Sequence, residues 1–202
     1  SNQVYTIFQD KNHNLWFGTR AGVSVYNGFT IKNYDLKNGL KSNFIRTITQ
    51  DSSGTIWVGT YGGGISKLVG NKFTTYTYED GLVSDFVYSI NFDNNNLMWI
   101  GTKEGFCSFD NIQFTTFSKN KLAATPIRVI KHTSKNDIWI GSQENGISIT
   151  TPQHQTSYIN DSNWNISNEI SDIVIDSSEN QILISTLNNG FYIIKGNKIT
   201  NF

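Results

Sequence analysis

The chain has 202 residues, and its 16 Lys and Arg balance its 16 Asp and Glu, so the formal net charge is zero. That balance excludes a general attraction to nucleic acid or to an anionic membrane surface, and no run of Lys or Arg marks a local basic segment. No apolar stretch approaches the ~18 residues of a membrane-inserted helix, and the lone Cys107 can form no intrachain disulfide.

Taken in chain order, "NQVYTIFQ" reads as a strand, "DKNHN" as a turn, "LWFGT" as a second strand, "GVSVY" as a third and "FTIKNY" as a fourth. Then the pattern starts again. "NFIRTITQ", "DSSG", "IWVGT" and "FTTYTY" repeat it, and "DFVYSINF", "MWIGT" and "FTTF" repeat it once more. Trp16, Trp57, Trp99 and Trp139 mark the beat, with Leu183 of "ILIST" as a degenerate fifth, at steps of 41, 42, 40 and 44 residues. A glycine follows each anchor, at Gly22, Gly64, Gly105, Gly146 and Gly190. Asn clusters such as Asn94-Asn95-Asn96 suit tight turns, and no segment keeps a helical apolar stripe.

Five strand-rich units of this period, at 1–41, 42–83, 84–124, 125–166 and 167–202, predict an all-β protein. The architecture expected is a β-propeller of five four-stranded blades, either a closed five-bladed ring or an arc of a larger propeller. A single blade has two apolar faces and cannot bury both, so blades stack. The tryptophan is then a wedge between blades, worth about 2–3 kcal/mol by burial. The glycine after it allows close backbone approach, and the threonine satisfies a turn. An open arc would expose Val4, Phe8, Ile184 and Ile193 at its ends.

"DSSGTIWVGTYGGGISK" followed by "DGLVSDFVYSI" resembles the two-component regulator propeller repeat. The linker occurs at Gly39-Leu40-Lys41-Ser42-Asn43 and again at Gly81-Leu82-Val83-Ser84-Asp85. The resemblance spans the chain and is strongest in the first three units. It implies the periplasmic sensor part of a membrane-anchored hybrid regulator, one that recognises carbohydrate fragments. The partners implied are an oligosaccharide, the rest of the regulator chain and, as a candidate, a second copy. No cofactor, nucleic acid or direct membrane insertion is expected.

His13, His132 and His154 fall at unrelated phases, which argues against a zinc or catalytic-histidine site. It argues equally against a streptogramin-lyase-like propeller, which needs a catalytic histidine. Arg20, Arg46 and Arg128 could clamp a carboxylate, as in a sialidase. The Asp-to-Trp spacing and the absence of an identifiable nucleophile pair disfavour a glycosidase. Asp10, Asp51, Asp93 and Asp176 read as turn-closing residues rather than calcium ligands. The formal glycosylation sequons starting at Asn160 and Asn165 are given no role.

Two columns of residues are candidate ligand contacts. One lies in the first strand of each unit: Tyr5, Arg46, Tyr88, Arg128 and Ser171. Its mix of aromatic and guanidinium suits stacking on a sugar and hydrogen bonding to it, although the same residues could simply stack between blades. The other follows each tryptophan strand: Arg20, Tyr61, Lys103 with Glu104, Gln143 with Glu144, and Asn188-Asn189. Two functions follow: a ligand-binding sensor, or a scaffold or dimerisation propeller that takes no small molecule. An enzyme is not expected.

Overall fold

A computed structural model describes residues 3–117, 120–152, 155–159, 166–196 and 198–202. His154 and the sequon residues 160–165 lie outside them. The chain forms five four-stranded antiparallel sheets, each a meander of consecutive strands. Blade 1 holds β1 (Val4–Gln9), β2 (Leu15–Thr19), β3 (Gly22–Tyr26) and β4 (Ile31–Tyr34). Blade 2 holds β5 (Ile45–Gln50), β6 (Ile56–Thr60), β7 (Ile65–Val69) and β8 (Lys72–Tyr76). Blade 3 holds β9 (Val87–Phe92), β10 (Met98–Thr102), β11 (Gly105–Phe109) and β12 (Phe114–Thr116). Blade 4 holds β13 (Ile127–His132), β14 (Ile138–Ser142), β15 (Ile147–Thr150) and β16 (Thr156–Ile159). Blade 5 holds β17 (Ile170–Asp176), β18 (Gln181–Thr186), β19 (Phe191–Lys195) and β20 (Lys198–Asn201). Two single 3-10 turns, Leu36–Asn38 and Tyr78–Asp80, lead out of blades 1 and 2.

The first strands lie innermost, with β1 against β5, β5 against β9, β9 against β13 and β13 against β17. Each signature residue has a task at the junction between blades. Trp16 packs with Ile45 and Ile48, Trp57 with Val87 and Ile90, Trp99 with Ile127 and Ile130, and Trp139 with Ile170 and Ile173. The turn aspartate holds the wedge in place. Asp10 Oδ2 accepts the Trp16 indole N–H at 2.8 Å, while Oδ1 closes the turn by accepting from the Asn12 and Asn14 amides. Asp51 and Asp93 accept from Trp57 and Trp99 in the same way, at 3.1 and 3.3 Å. This bond accounts for the six-residue interval between acid and indole.

The glycine of each pair is needed for space. A Cβ built on Gly59 would lie 2.6 Å from Thr47 Cγ2 and 2.6 Å from Val87 Cγ1 of the next blade. The threonine closes the following turn, with Thr60 Oγ1 donating to the Gly64 carbonyl at 3.1 Å and Thr102 Oγ1 to that of Gly105 at 2.8 Å. Cys107 is buried in the junction of blades 2 and 3, and burial pushes its thiol up to about 12.

Among the described residues, four core clusters join the five blades in succession, and none joins blade 5 to blade 1. These contacts describe an arc. Val4 and Ile7, which face away from blade 2, are 50% and 65% exposed. The residues equivalent to them in the other four blades are at most 5% exposed. At the far end Phe191 is 42% exposed, where the equivalent residues of the other blades are at most 3%.

The alternation of strand faces corrects the residues expected at these ends. Phe8 is half-buried because it points inward onto the Trp16 cluster, leaving Ile7 outside. Ile184 is fully buried because it faces blade 4, and Ile193 is half-buried.

Candidate functional site

Every first strand carries a one-residue bulge at the same place. Val4 pairs with Thr19 and Thr6 with Gly18, which leaves Tyr5 outside the ladder. The same slip leaves Arg46, Tyr88, Arg128 and Ser171 unpaired in the other blades. A bulge re-aims its extra side chain. The mixed column in the sequence is therefore a bulge column, and its side chains are released from the alternation that fixes the rest of the strand.

The second column is tied to the same rim. Tyr61, Lys103 and Gln143 donate their backbone N–H to the carbonyls of Phe44, Phe86 and Pro126, at 2.8, 2.9 and 2.9 Å. Those acceptors each lie two residues before a bulge, so both columns converge. The result is a continuous belt of alternating rings and cations. Arg20 sits over Phe44 at 5.0 Å and over Tyr5 at 5.9 Å. Arg46 sits over Tyr5 at 5.6 Å and over Tyr88 at 5.7 Å, and Arg128 covers Tyr88 at 4.7 Å. Arg128 Nη2 donates to Gln143 Oε1 and so ends the series.

The rings touch one another as well. Tyr5 meets Phe44 at 4.7 Å, Phe44 meets Tyr61 at 5.4 Å, and Tyr61 meets Phe86 at 4.7 Å. Lys103 Nζ lies 5.2 Å above Phe86. Tyr5, Arg20, Arg46, Tyr61, Tyr88, Lys103, Arg128 and Gln143 thus all belong to one contact series. Burial raises the Tyr88 hydroxyl above its ordinary range, opposed by the nearby Arg128 and Arg46 charges. Tyr88 therefore remains a neutral donor and acceptor at physiological pH.

Phe44 and Phe86 are the members the sequence reading missed. They sit two residues before the bulge in consecutive repeats, and carrying the column back by two would have found them. Blade 5 does not extend the belt. Ser171 Oγ shares a hydrogen bond with Ser185 Oγ at 2.8 Å, and the residue after the Thr186 turn is Leu187. Asn188 Nδ2 instead donates to Glu169 Oε2. Glu104 and Glu144 are exposed.

The two described histidines, His13 and His132, stand apart from the belt. His13 occupies the left-handed position of its turn, at φ 64°, where blade 2 has Gly54 and blade 3 has Asn96. His132 Nδ1 shares a hydrogen bond with Asn91 Oδ1 at 2.7 Å, between β13 and β9. Two concavities also lie elsewhere. One of about 420 Å³ opens between blades 4 and 5, lined by Thr133, Trp139, Ile175 and Gln181. It forms where Thr133 replaces the turn aspartate, so that Trp139 lacks the carboxylate partner of the other wedges. The second, about 580 Å³, lies among Leu82, Phe106 and Phe117. The first also carries Lys135 and Tyr158 beside Trp139, and the second has rings but no Lys or Arg; neither includes a residue of the belt.

Radial four-stranded blades, wedged by a tryptophan and stapled through a turn aspartate, make this chain a β-propeller array. The sequence profile of the two component regulator propeller family matches residues 1–21, 39–62 and 81–104, within the first three blades. Those three stretches carry that family's repeat.

Solved structures share the fold. One extracellular domain assigned to a hybrid two component system of B. thetaiotaomicron superposes with a TM-score of 0.83 and 26% identity. The match covers 98% of this chain and 27% of that one, so the chain spans about a quarter of its relative's length. A second such domain from the same organism gives 0.78 at 21% identity, covering 100% of this chain and 28% of that one. Virginiamycin B lyase from Staphylococcus aureus gives 0.79 at 18% identity, covering 100% and 71%. No curated protein sequence matches the chain significantly.

Proposed function

We propose that this propeller is the ligand-sensing part of a two-component regulator, exposed in the periplasm, and that it recognises a carbohydrate fragment along the belt from Arg20 to Gln143. The observation that carries this reading is the bulge in every blade. It places one side chain per blade on a common rim, where rings and fixed cations alternate. Flat aromatic faces stack on sugar rings, and guanidinium groups donate to their oxygens. The belt's contacts among the described residues bring in neither a carboxylate nor an imidazole, so binding rather than catalysis is the chemistry it suits.

A thermal-shift screen of plant and host oligosaccharides tests this, because a ligand that binds only the folded state raises the midpoint by mass action. A concentration-dependent rise with at least one oligosaccharide is expected. Silence across the panel would favour the second reading, a scaffold or dimerisation propeller. The exposed end residues Val4, Ile7 and Phe191 support that alternative, since apolar end faces invite association.

A further inference from the structure

All three arginines of the chain lie on the belt, although its overall formal charge is zero. Among the described residues the one ion pair is Lys195 with Glu179, in blade 5. Among those residues no carboxylate therefore pairs with Arg20, Arg46, Arg128 or Lys103. A ring beneath a guanidinium engages its face and leaves the N–H donors, which lie in its plane, free for other partners. For Arg128 one of those donors is spent on Gln143. Arg46 is different. It is the middle cation of the series, and its Nε is buried with no hydrogen-bond partner. A buried donor left unpaired is costly, and most in native proteins are satisfied. An oxyanion seated on the belt would supply the missing acceptor, and the fork of Nε and Nη matches its two oxygens.

We propose that the belt binds a saccharide carrying an oxyanion, a carboxylate or a sulfate, with Arg46 as the central donor, Arg128 and Arg20 flanking it, and the exposed Tyr61 as the stacking face. This inference rests on the sensor reading above and narrows it from carbohydrate to acidic carbohydrate. Chemistry supports the two-part match. A neutral sugar would stack on Tyr61 but leave three fixed charges without a counter-charge. A small inorganic anion would pair with a cation but leave the rings uncovered.

The test is calorimetric titration of the 202-residue chain with three oligomers of equal length: galacturonate, sulfated galactose and unmodified galactose. At least one acidic oligomer is expected to bind tenfold or more tightly than the neutral one, and to weaken as salt is raised from about 50 to 300 mM. The acidic oligomer that binds identifies the group as carboxylate or sulfate. Arg46→Gln should reduce that binding at least tenfold, and Arg46→Lys should fail to restore it, since an ammonium cannot make the forked contact. Arg128→Gln provides a second variant should Arg46→Gln fail to fold, and Lys195→Gln should leave binding unchanged.

Equal or tighter binding of the neutral oligomer overturns the acidic assignment and leaves the carbohydrate sensor standing. Acidic binding that survives both arginine variants, with their folds intact, overturns the belt as the site. Failure of all three oligomers and of the wider screen removes both readings together.

Discussion

Blades 2 and 5 share a topology but not a set of neighbours. Blade 2 is packed on both sides and retains every signature residue: Asp51, Trp57, Gly59 and Thr60. Blade 5 has a neighbour on one side only, and there Leu183 replaces the tryptophan and Ser185 the glycine. Asp176 serves its own turn, accepting from Ser178 and Glu179, with no indole to hold. Thr186 is retained, and its hydroxyl still donates to the Gly190 carbonyl at 2.9 Å. The residues that differ are those that build a junction with a following blade, while the one that closes a turn within the blade persists. The repeat motif therefore describes interfaces more than it describes blades.

The sharpest test of this distinction is truncation of the wedge. Trp57→Ala should cost about 3–5 kcal/mol, as for other buried Trp truncations. Leu183 is half-buried and faces away from blade 4, so Leu183→Ala should fall below the usual ~2–5 kcal/mol of a core leucine. Urea midpoints would measure both, and equal losses would contradict the junction account. Next comes the glycine. Gly59→Ala drives a methyl into Thr47 and Val87, with an expected loss of about 1–3 kcal/mol. Ser185→Gly meets no such clash and gives up only the Ser171 hydrogen bond and some backbone order, an expected loss of about 1 kcal/mol.

The carboxylates sharpen the comparison through pH. Burial alone would raise Asp51, but bonds from Ser53, Trp57 and Thr55 outweigh it and hold the carboxyl below its ordinary 3.8. A carboxyl depressed by folding stabilises the fold above its unfolded pKa, and that contribution is lost as pH falls through the lower folded value. Asp51→Asn should therefore flatten the acid limb of stability below about pH 4. The half-buried Asp176, which holds no indole, should alter the same profile less when changed to Asn. The smallest effect is expected at His13. Its left-handed backbone costs a side-chain-bearing residue about 1 kcal/mol, so His13→Gly should raise the thermal midpoint slightly.

Much of this architecture was legible in the sequence because it repeats. A tryptophan returning five times in register, once as leucine, reports a stacked array through its spacing alone. The site was legible only in part. Its members were visible as columns, yet a patch assembled from one residue per blade leaves no basic run in the chain. The bulge that aims them was hidden, because an extra residue within a strand changes no composition. Phe44 and Phe86 were not singled out, because a phenylalanine beside an apolar strand is ordinary by composition. Among the end residues Val4 is exposed as expected, whereas Phe8 and Ile184 were misassigned because one step along a strand reverses its face. Ile7 and Phe8 are equally apolar, and only pairing distinguishes the outward one from the inward one.

The bulge carries one more consequence. A residue outside the ladder forms no cross-strand pair, so replacing it leaves strand register and the junction cores untouched. Each blade thus contributes one letter to an address written around the mouth of the array. Letters can be exchanged singly, as Tyr, Arg and Ser already are from blade to blade, and the page on which they are written does not change.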